Sequence, residues 1–124
     1  MVKSQKILVV DDSSTVHKLM KKYLEAEGFQ ICGYAKNGKE AVELFQEHRP
    51  HITFMDITMP VMDGISALQE MRKVDPDASI VMLSAMGDEE LIQQAKEIGA
   101  TIYLQKPFNK DKLVDTINKI EGGQ

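Results

Sequence analysis

Short apolar runs alternate with longer amphipathic stretches along the chain, five of each. The apolar runs are strand-length and contain many β-branched side chains, which favours strands over fragments of helix. Most runs are apolar at every position, as in strands that are buried on both faces of a sheet. The predicted strands span residues 6–10, 30–35, 52–55, 79–83 and 101–104.

The amphipathic stretches repeat their apolar residues three and four positions apart, which is the spacing of one helix face. Residues typical of helix ends flank them. Ser13 or Ser14 can cap the first helix, Gly28 follows it, and Asn37 with Glu40 forms a capping pair for the second. The predicted helices span residues 14–27, 38–48, about 65–74, about 89–98 and about 110–120, the last one capped by Asn109.

This alternation predicts a (βα)5 unit of the α/β class. Parallel strands need right-handed crossovers, and the connecting helices must cover both faces of the sheet. Five units are too few to close an eight-stranded barrel, so an open, five-stranded, doubly wound parallel sheet is expected. Because no linker or repeat interrupts the pattern, residues 1–124 are interpreted as a single domain without an attached output domain.

Composition and charge exclude several classes of protein and of partner. The chain is 43% hydrophobic and 27% charged, and its net charge of −4 comes from interspersed residues. Neither a nucleic-acid surface nor a disordered chain is therefore expected. No apolar run approaches the roughly 18 residues of a membrane span, and no signal peptide is recognisable, so a cytoplasmic location is predicted. The single cysteine, Cys32, excludes an internal disulfide and is interpreted as a buried structural thiol.

Polar side chains collect where four of the predicted strands end. Asp11 and Asp12 follow the first strand, Asp56 the third, Ser84 the fourth and Lys106 the fifth. In open α/β sheets this edge, beyond the carboxyl ends of the strands, is where ligands bind.

Three carboxylates held close together repel one another, and a divalent cation relieves that repulsion. Oxygen ligands with few protein contacts suit Mg²⁺, which commonly shares its shell with phosphate. A metal beside a carboxylate, a hydroxyl and a lysine suits phosphoryl transfer by positioning and charge neutralisation. Asp56 is the predicted nucleophile, because a carboxylate can form an acyl phosphate.

Over essentially its whole length the chain resembles a stand-alone, CheY-like response-regulator receiver domain. The resemblance is carried by Asp11-Asp12, the D-x-x-M-P-x-M-D-G run that starts at Asp56, Ser84-Ala85, and Lys106 followed by Pro-Phe. It implies the strand order 2-1-3-4-5. It also implies that Asp56 accepts a phosphoryl group from a phosphohistidine on a histidine kinase. The implied Mg²⁺ ligands are Asp12, Asp56 and the backbone carbonyl of Thr58, which would bind directly, and Asp11, which would bind largely through water.

The resemblance also implies how the switch works. Lys106 would pair with a phosphoryl oxygen, and its bond to Pro107 would be cis. Ser84 would move toward the phosphoryl group, and Tyr103 would turn inward into the vacated space. Thr58 and Met86 would flank the phosphoryl group and affect its lifetime, in a direction that the sequence leaves open. Met59 and Met62, in the loop after Asp56, are expected to be exposed.

The implied role is a regulator that catalyses its own phosphorylation and dephosphorylation rather than a conventional enzyme. Chemotaxis is the favoured pathway, with a flagellar motor switch protein as the target and a phosphatase as a further partner. The protein is expected to be a monomer that can dimerise on activation. A phosphorelay intermediate or another single-domain regulator is the main alternative. A degenerate receiver that acts without phosphorylation is disfavoured by the intact acidic set.

Two other functions on related folds are less favoured. A haloacid-dehalogenase-like phosphatase needs a second aspartate as general acid, and Thr58 stands at that position. A flavodoxin-like FMN carrier would need a Ser/Thr/Gly-rich phosphate loop after the first strand, which the sequence lacks, and the chain has no tryptophan to stack on the flavin.

Overall fold

The structure is a computed structural model that describes residues 6–59 and 61–122. Within them, five strands and five helices alternate as the sequence predicts. The strands are β1 (Lys6–Val10), β2 (Gln30–Ala35), β3 (Ile52–Asp56), β4 (Ser79–Ser84) and β5 (Ile102–Gln105). The helices are α1 (Ser14–Ala26), α2 (Gly38–His48), α3 (Gly64–Val74), α4 (Glu89–Ile98) and α5 (Lys110–Gly122).

The five strands form one parallel sheet in the order β2-β1-β3-β4-β5. One apolar cluster joins α1 and α5 to one face of the sheet, through residues such as Leu24, Phe54 and Ile117. A second cluster joins α2, α3 and α4 to the other face, through residues such as Phe45 and Met82. The predicted doubly wound fold and its strand order are therefore confirmed.

The central strands are buried on both faces, as their apolar sequences predict, but β2 is different. It is an edge strand, and its burial increases only toward Ala35. Tyr34 is exposed, and Cys32 is half-buried although it packs against the core cluster under α2, α3 and α4, so the thiol is less buried than predicted. The physical reason is position: among residues 6–59 and 61–122, β2 pairs with β1 alone, so its other edge has no neighbouring strand. Partial burial still raises the pKa of the Cys32 thiol.

Side-chain caps fix where four helices begin, which in turn positions the loops at the site edge. Oγ of Ser13 accepts from the Val16 N–H at 3.4 Å at the start of α1. The Oδ1 atom of Asn37 accepts from the Glu40 N–H at 2.9 Å at the start of α2. Asp63 does the same for α3, with its Oδ1 accepting from the Ser66 N–H at 2.8 Å, and Asn109 for α5. Each side chain satisfies an amide that has no partner inside the helix.

Arg72, on α3, anchors the edge of the sheet opposite the site. Its guanidinium donates to the carbonyl of Gly99, at 2.6 and 2.9 Å, and to the carbonyl of Ala78 at 2.6 Å. These contacts join the carboxyl end of α3 to the start of β4 and to the turn after α4. Burial lowers the pKa of Arg72. No helix among the described residues is long and apolar enough to cross a membrane.

Candidate functional site

The three aspartates that the sequence singles out meet at the carboxyl edge of β1 and β3. Asp11 follows β1 and is fully buried, Asp12 beside it is exposed, and Asp56 is the last residue of β3 with 9% of its surface exposed. One carboxylate oxygen from each residue lies within 4.8 Å of the other two. The backbone N–H of Asp11 donates to the carbonyl of Ala35 at 3.0 Å, which fixes the turn that carries the first two.

Lys106 lies between two of these carboxylates. Its Nζ is 2.7 Å from Oδ2 of Asp11 and 3.4 Å from Oδ2 of Asp56. The backbone N–H of Lys106 donates to the carbonyl of Ser84 at 2.7 Å, so the chain is held against the end of β4. The peptide bond between Lys106 and Pro107 is cis. The lysine is therefore placed close to Asp56, although its shorter contact is with Asp11.

The environment of Asp56 disfavours its charged form. Burial, and then the neighbouring charge of Asp11, raise the pKa of Asp56 to about 6, even though Lys106 and the Thr58 N–H partly offset them. Burial alone would lower the pKa of Lys106, but its contacts with Asp11 and Asp56 outweigh that effect and raise it. A carboxylate with a strongly shifted pKa in a cluster of like charges is typical of a functional site.

The donor set fits Mg²⁺. The three carboxylates have oxygen atoms within 4.8 Å of one another, and in the described part of the chain Lys106 is the one ammonium group that pairs with them, through Asp11 and Asp56, so the cluster has an excess of negative charge. Only oxygen ligands are offered, which a hard divalent cation prefers. The Thr58 N–H donates to Oδ1 of Asp56 at 3.4 Å, which holds that loop residue beside the cluster. That the backbone carbonyl of Thr58 is a metal ligand stays a prediction.

We expect Asp56→Asn to stabilise the metal-free protein at neutral pH. A pKa that rises from 3.8 to about 6 means that the folded state binds the proton more tightly than the unfolded state. Ionisation of Asp56 therefore destabilises the fold by up to about 3 kcal/mol above pH 6, and this cost disappears below about pH 4.

Urea unfolding in EDTA between pH 4 and pH 7.5 measures this effect. Wild type should lose stability relative to Asp56→Asn as the pH rises, and Mg²⁺ should restore stability to wild type in particular. A stability difference that does not change with pH would contradict the assigned pKa of Asp56.

The loop after β3 differs from the sequence prediction. Met59 is buried, with 7% of its surface exposed, and Met62 is half-buried, so the prediction that both are exposed is wrong. Val61 is exposed instead, at 79%, and has a left-handed backbone with φ of 69°. The loop folds inward because the Gly38 N–H donates to the carbonyl of Met62 at 2.8 Å, a contact between distant parts of the chain. Pro60 lies outside the described residues.

The two predicted switch residues lie on the same face of the sheet. Ser84 is buried at the end of β4, with 1% of its surface exposed, whereas Tyr103 on β5 is 39% exposed. Tyr103 pairs in register with Met82, two residues before Ser84, so the tyrosine is a diagonal neighbour of the serine. Met86, predicted to flank the phosphoryl group, is 86% exposed in the loop after β4.

Sequence reasoning did not identify two glycines that shape the site. A Cβ atom on Gly38 would lie 2.3 Å from the carbonyl oxygen of Met62, and one on Gly64 would lie 2.2 Å from the carbonyl oxygen of Asp56. Both positions admit no side chain, because the obstacle is backbone. Gly64 is the last residue of the D-x-x-M-P-x-M-D-G run, which could have identified it. Nothing in the sequence distinguishes Gly38.

Comparisons with known proteins agree with this geometry. The family model of the response regulator receiver domain matches residues 7–118. The chemotaxis protein CheY of Bacillus subtilis is 42% identical over 116 residues, which cover 94% of this chain and 97% of CheY. Sporulation initiation phosphotransferase F of the same organism is 34% identical over 116 residues, covering 94% of this chain and 93% of that protein.

A solved structure is also similar along nearly the whole chain. A chain of the CheX-CheY-BeF3-Mg+2 complex from Borrelia burgdorferi matches with a TM-score of 0.90 and 34% identity, covering 94% of this chain and 89% of that one. Family, sequence and fold therefore agree: the chain belongs to the family of response regulator receiver domains.

Proposed function

We propose that this protein is a phosphorylation-dependent switch of two-component signalling in which Asp56 is the phosphoryl acceptor. The observation that carries the proposal is the position of Asp56. It lies at the end of β3, within 4.8 Å of Asp11 and Asp12 by their nearest carboxylate oxygens, and its Oδ2 is 3.4 Å from the ammonium of Lys106. The site therefore offers a nucleophile, a set of metal ligands and a cation to one incoming group.

The proposed reaction begins with attack of an Asp56 carboxylate oxygen on the phosphorus of a phosphohistidine from a histidine kinase. A P–O bond forms, the P–N bond breaks, and the imidazole nitrogen leaves with the electron pair of that bond. Asp11, Asp12, Asp56 and the Thr58 carbonyl would hold Mg²⁺, which supplies neutralisation of the charge on the phosphoryl oxygens. Lys106 gains those oxygens as a further anionic partner. Attack of water on the acyl phosphate later returns Asp56 and inorganic phosphate.

The conformational response starts at Ser84. Its hydroxyl can donate to a phosphoryl oxygen, and Tyr103, a diagonal neighbour on the same face, would turn inward as Ser84 moves. Phosphorylation replaces the single negative charge of the Asp56 carboxylate with a phosphoryl group that carries up to two charges and three acceptor oxygens. This change at the site edge favours one of two arrangements of α4, β5 and α5. A partner that binds the surface formed by α4, β5 and α5 would then bind one arrangement more tightly than the other.

We assign the switch to chemotaxis, with a flagellar motor switch protein as the target, a phosphatase as a further partner and the cytoplasm as the compartment. The support is 42% identity to a chemotaxis protein and the fold shared with a CheX-CheY complex. We further propose that the protein is a monomer and that activation can promote a dimer. Membership in the receiver family removes the support for a haloacid-dehalogenase-like phosphatase or a flavodoxin-like carrier.

The first test is intact mass after incubation with acetyl phosphate, in Mg²⁺ and in EDTA. We expect wild type to gain one phosphoryl group in Mg²⁺ and almost none in EDTA, because the cluster holds excess negative charge without the cation. Absence of any gain in Mg²⁺ would sink the phosphoryl-acceptor assignment.

A phosphorelay intermediate is the second candidate, supported by 34% identity to a protein named a phosphotransferase. Mixing the phosphorylated protein with a histidine phosphotransfer domain separates the two roles. A relay intermediate returns its phosphoryl group to the histidine, whereas a terminal chemotaxis regulator loses it mainly to water.

A further inference from the structure

The outward position of Tyr103 is not enforced by burial. In β5, Ile102 and Leu104 pack into the core beneath α1 and α5, while Tyr103 lies on the opposite face of the sheet. The residue is 39% exposed, and β5 is an edge strand. Contacts on the surface of the sheet can therefore influence the outward orientation of the ring.

Lys96 on α4 makes one such contact. Its Nζ lies 5.3 Å from the centroid of the Tyr103 ring, which is within the range of a cation–π interaction. Within residues 6–59 and 61–122, Lys96 forms no ion pair, and the Tyr103 hydroxyl has no hydrogen bond. The ammonium is therefore available to the ring, and the ring has no competing polar partner in that part of the chain.

We propose that Lys96 is a positioning residue that holds Tyr103 in its outward orientation until Asp56 is phosphorylated. The inference rests on the proposed function, because it assumes that Tyr103 has an inward orientation to adopt. The ammonium faces the ring where the ring lies outside the sheet, and inward rotation breaks that contact. An interaction made in one of two states shifts their populations toward that state. Lys96, which lies outside the phosphoryl site, thus sets the ratio of inward to outward Tyr103 in the unphosphorylated protein.

The size of the effect follows from the exposure of the pair. Cation–π contacts at exposed sites change an equilibrium by about two- to fivefold. Loss of the Lys96 charge should therefore raise the ratio of inward to outward Tyr103 by about two- to fivefold. Arginine should preserve the balance, because its guanidinium also binds aromatic faces.

The test measures Tyr103 directly in the unphosphorylated protein. Tyrosine rings labelled with ¹³C are observed by NMR with a soluble paramagnetic probe, and Tyr103→Phe identifies the resonance. In Lys96→Gln the Tyr103 ring should become less accessible to the probe. Lys96→Arg should match wild type, as should Lys73→Gln, which removes the same charge from an exposed lysine on α3. Unchanged accessibility in Lys96→Gln, or an equal change in Lys73→Gln, would overturn the proposal.

A double-mutant cycle then connects the contact to the reaction. Lys96→Gln should speed phosphorylation by acetyl phosphate about two- to fivefold, and this gain should vanish in a Tyr103→Leu background. A gain that persists without the aromatic ring would mean that Lys96 acts through general electrostatics, contrary to the proposal. If no variant is phosphorylated at all, the proposed function fails, while the NMR measurement still decides the role of Lys96.

Discussion

Asp56→Asn is expected to abolish Mg²⁺-dependent phosphorylation, with a rate at least about a thousandfold below wild type, as for the loss of other nucleophiles. The amide keeps the size of the side chain but provides no anionic oxygen to attack phosphorus. It also replaces a charged ligand of the proposed cation with a neutral one. Because the metal-free variant is expected to be more stable than wild type, unfolding would not explain the loss of phosphorylation. Intact mass over time with acetyl phosphate and Mg²⁺ measures the rate.

Asp63→Asn is the matched control for this experiment. Asp63 is an exposed aspartate in the same loop, where its Oδ1 accepts from the Ser66 N–H at the start of α3. Asparagine caps helices about as well as aspartate, so this variant should fold and be phosphorylated close to the wild-type rate. Phosphorylation of Asp56→Asn, or failure of Asp63→Asn alone to be phosphorylated, would show that Asp56 is not the acceptor.

Gly64→Ala is expected to destabilise the protein by at least about 3 kcal/mol. Helix propensity alone predicts the opposite sign, because alanine stabilises a helix by about 1 kcal/mol relative to glycine. The added Cβ would lie 2.2 Å from the carbonyl oxygen of Asp56 and 2.8 Å from Cα of Ile57. Both obstacles are backbone atoms, so no side-chain rotation relieves the clash. Urea unfolding with circular dichroism measures the difference.

Gly33→Ala provides the comparison for that prediction. A Cβ at Gly33, on β2, would lie 3.4 Å from Cδ1 of Leu44 and 3.6 Å from Cδ1 of Leu8. These are side-chain methyl groups at ordinary distances, so the effect on stability should stay within about 1 kcal/mol. If Gly64→Ala proved as stable as Gly33→Ala, the loop after β3 would be adaptable and the steric explanation of its glycine would be wrong.

The sequence predicted the fold and the gathering of the site because both follow from local patterns. Apolar runs mark the strands, and the carboxyl ends of parallel strands meet at one edge, so Asp11, Asp56 and Lys106 had to converge. The burial of Met59 could not be predicted, because it depends on how the loop closes against Gly38, more than twenty residues earlier. The partial exposure of Cys32 depends on β2 being an edge strand, which the implied strand order 2-1-3-4-5 already contains but the apolar pattern of β2 by itself does not reveal.

The anchor formed by Arg72 has a mechanical consequence. The guanidinium holds the Gly99 carbonyl, immediately beyond the carboxyl end of α4, whereas the amino end of that helix follows the loop from Ser84. A helix that is fixed at one end behaves as a lever. Ten residues span about 15 Å, so a tilt of about 10° about Gly99 would displace the amino end by about 2.6 Å and leave the carboxyl end nearly still. Movement on this face should therefore be graded along α4, greatest beside the site and smallest at Arg72.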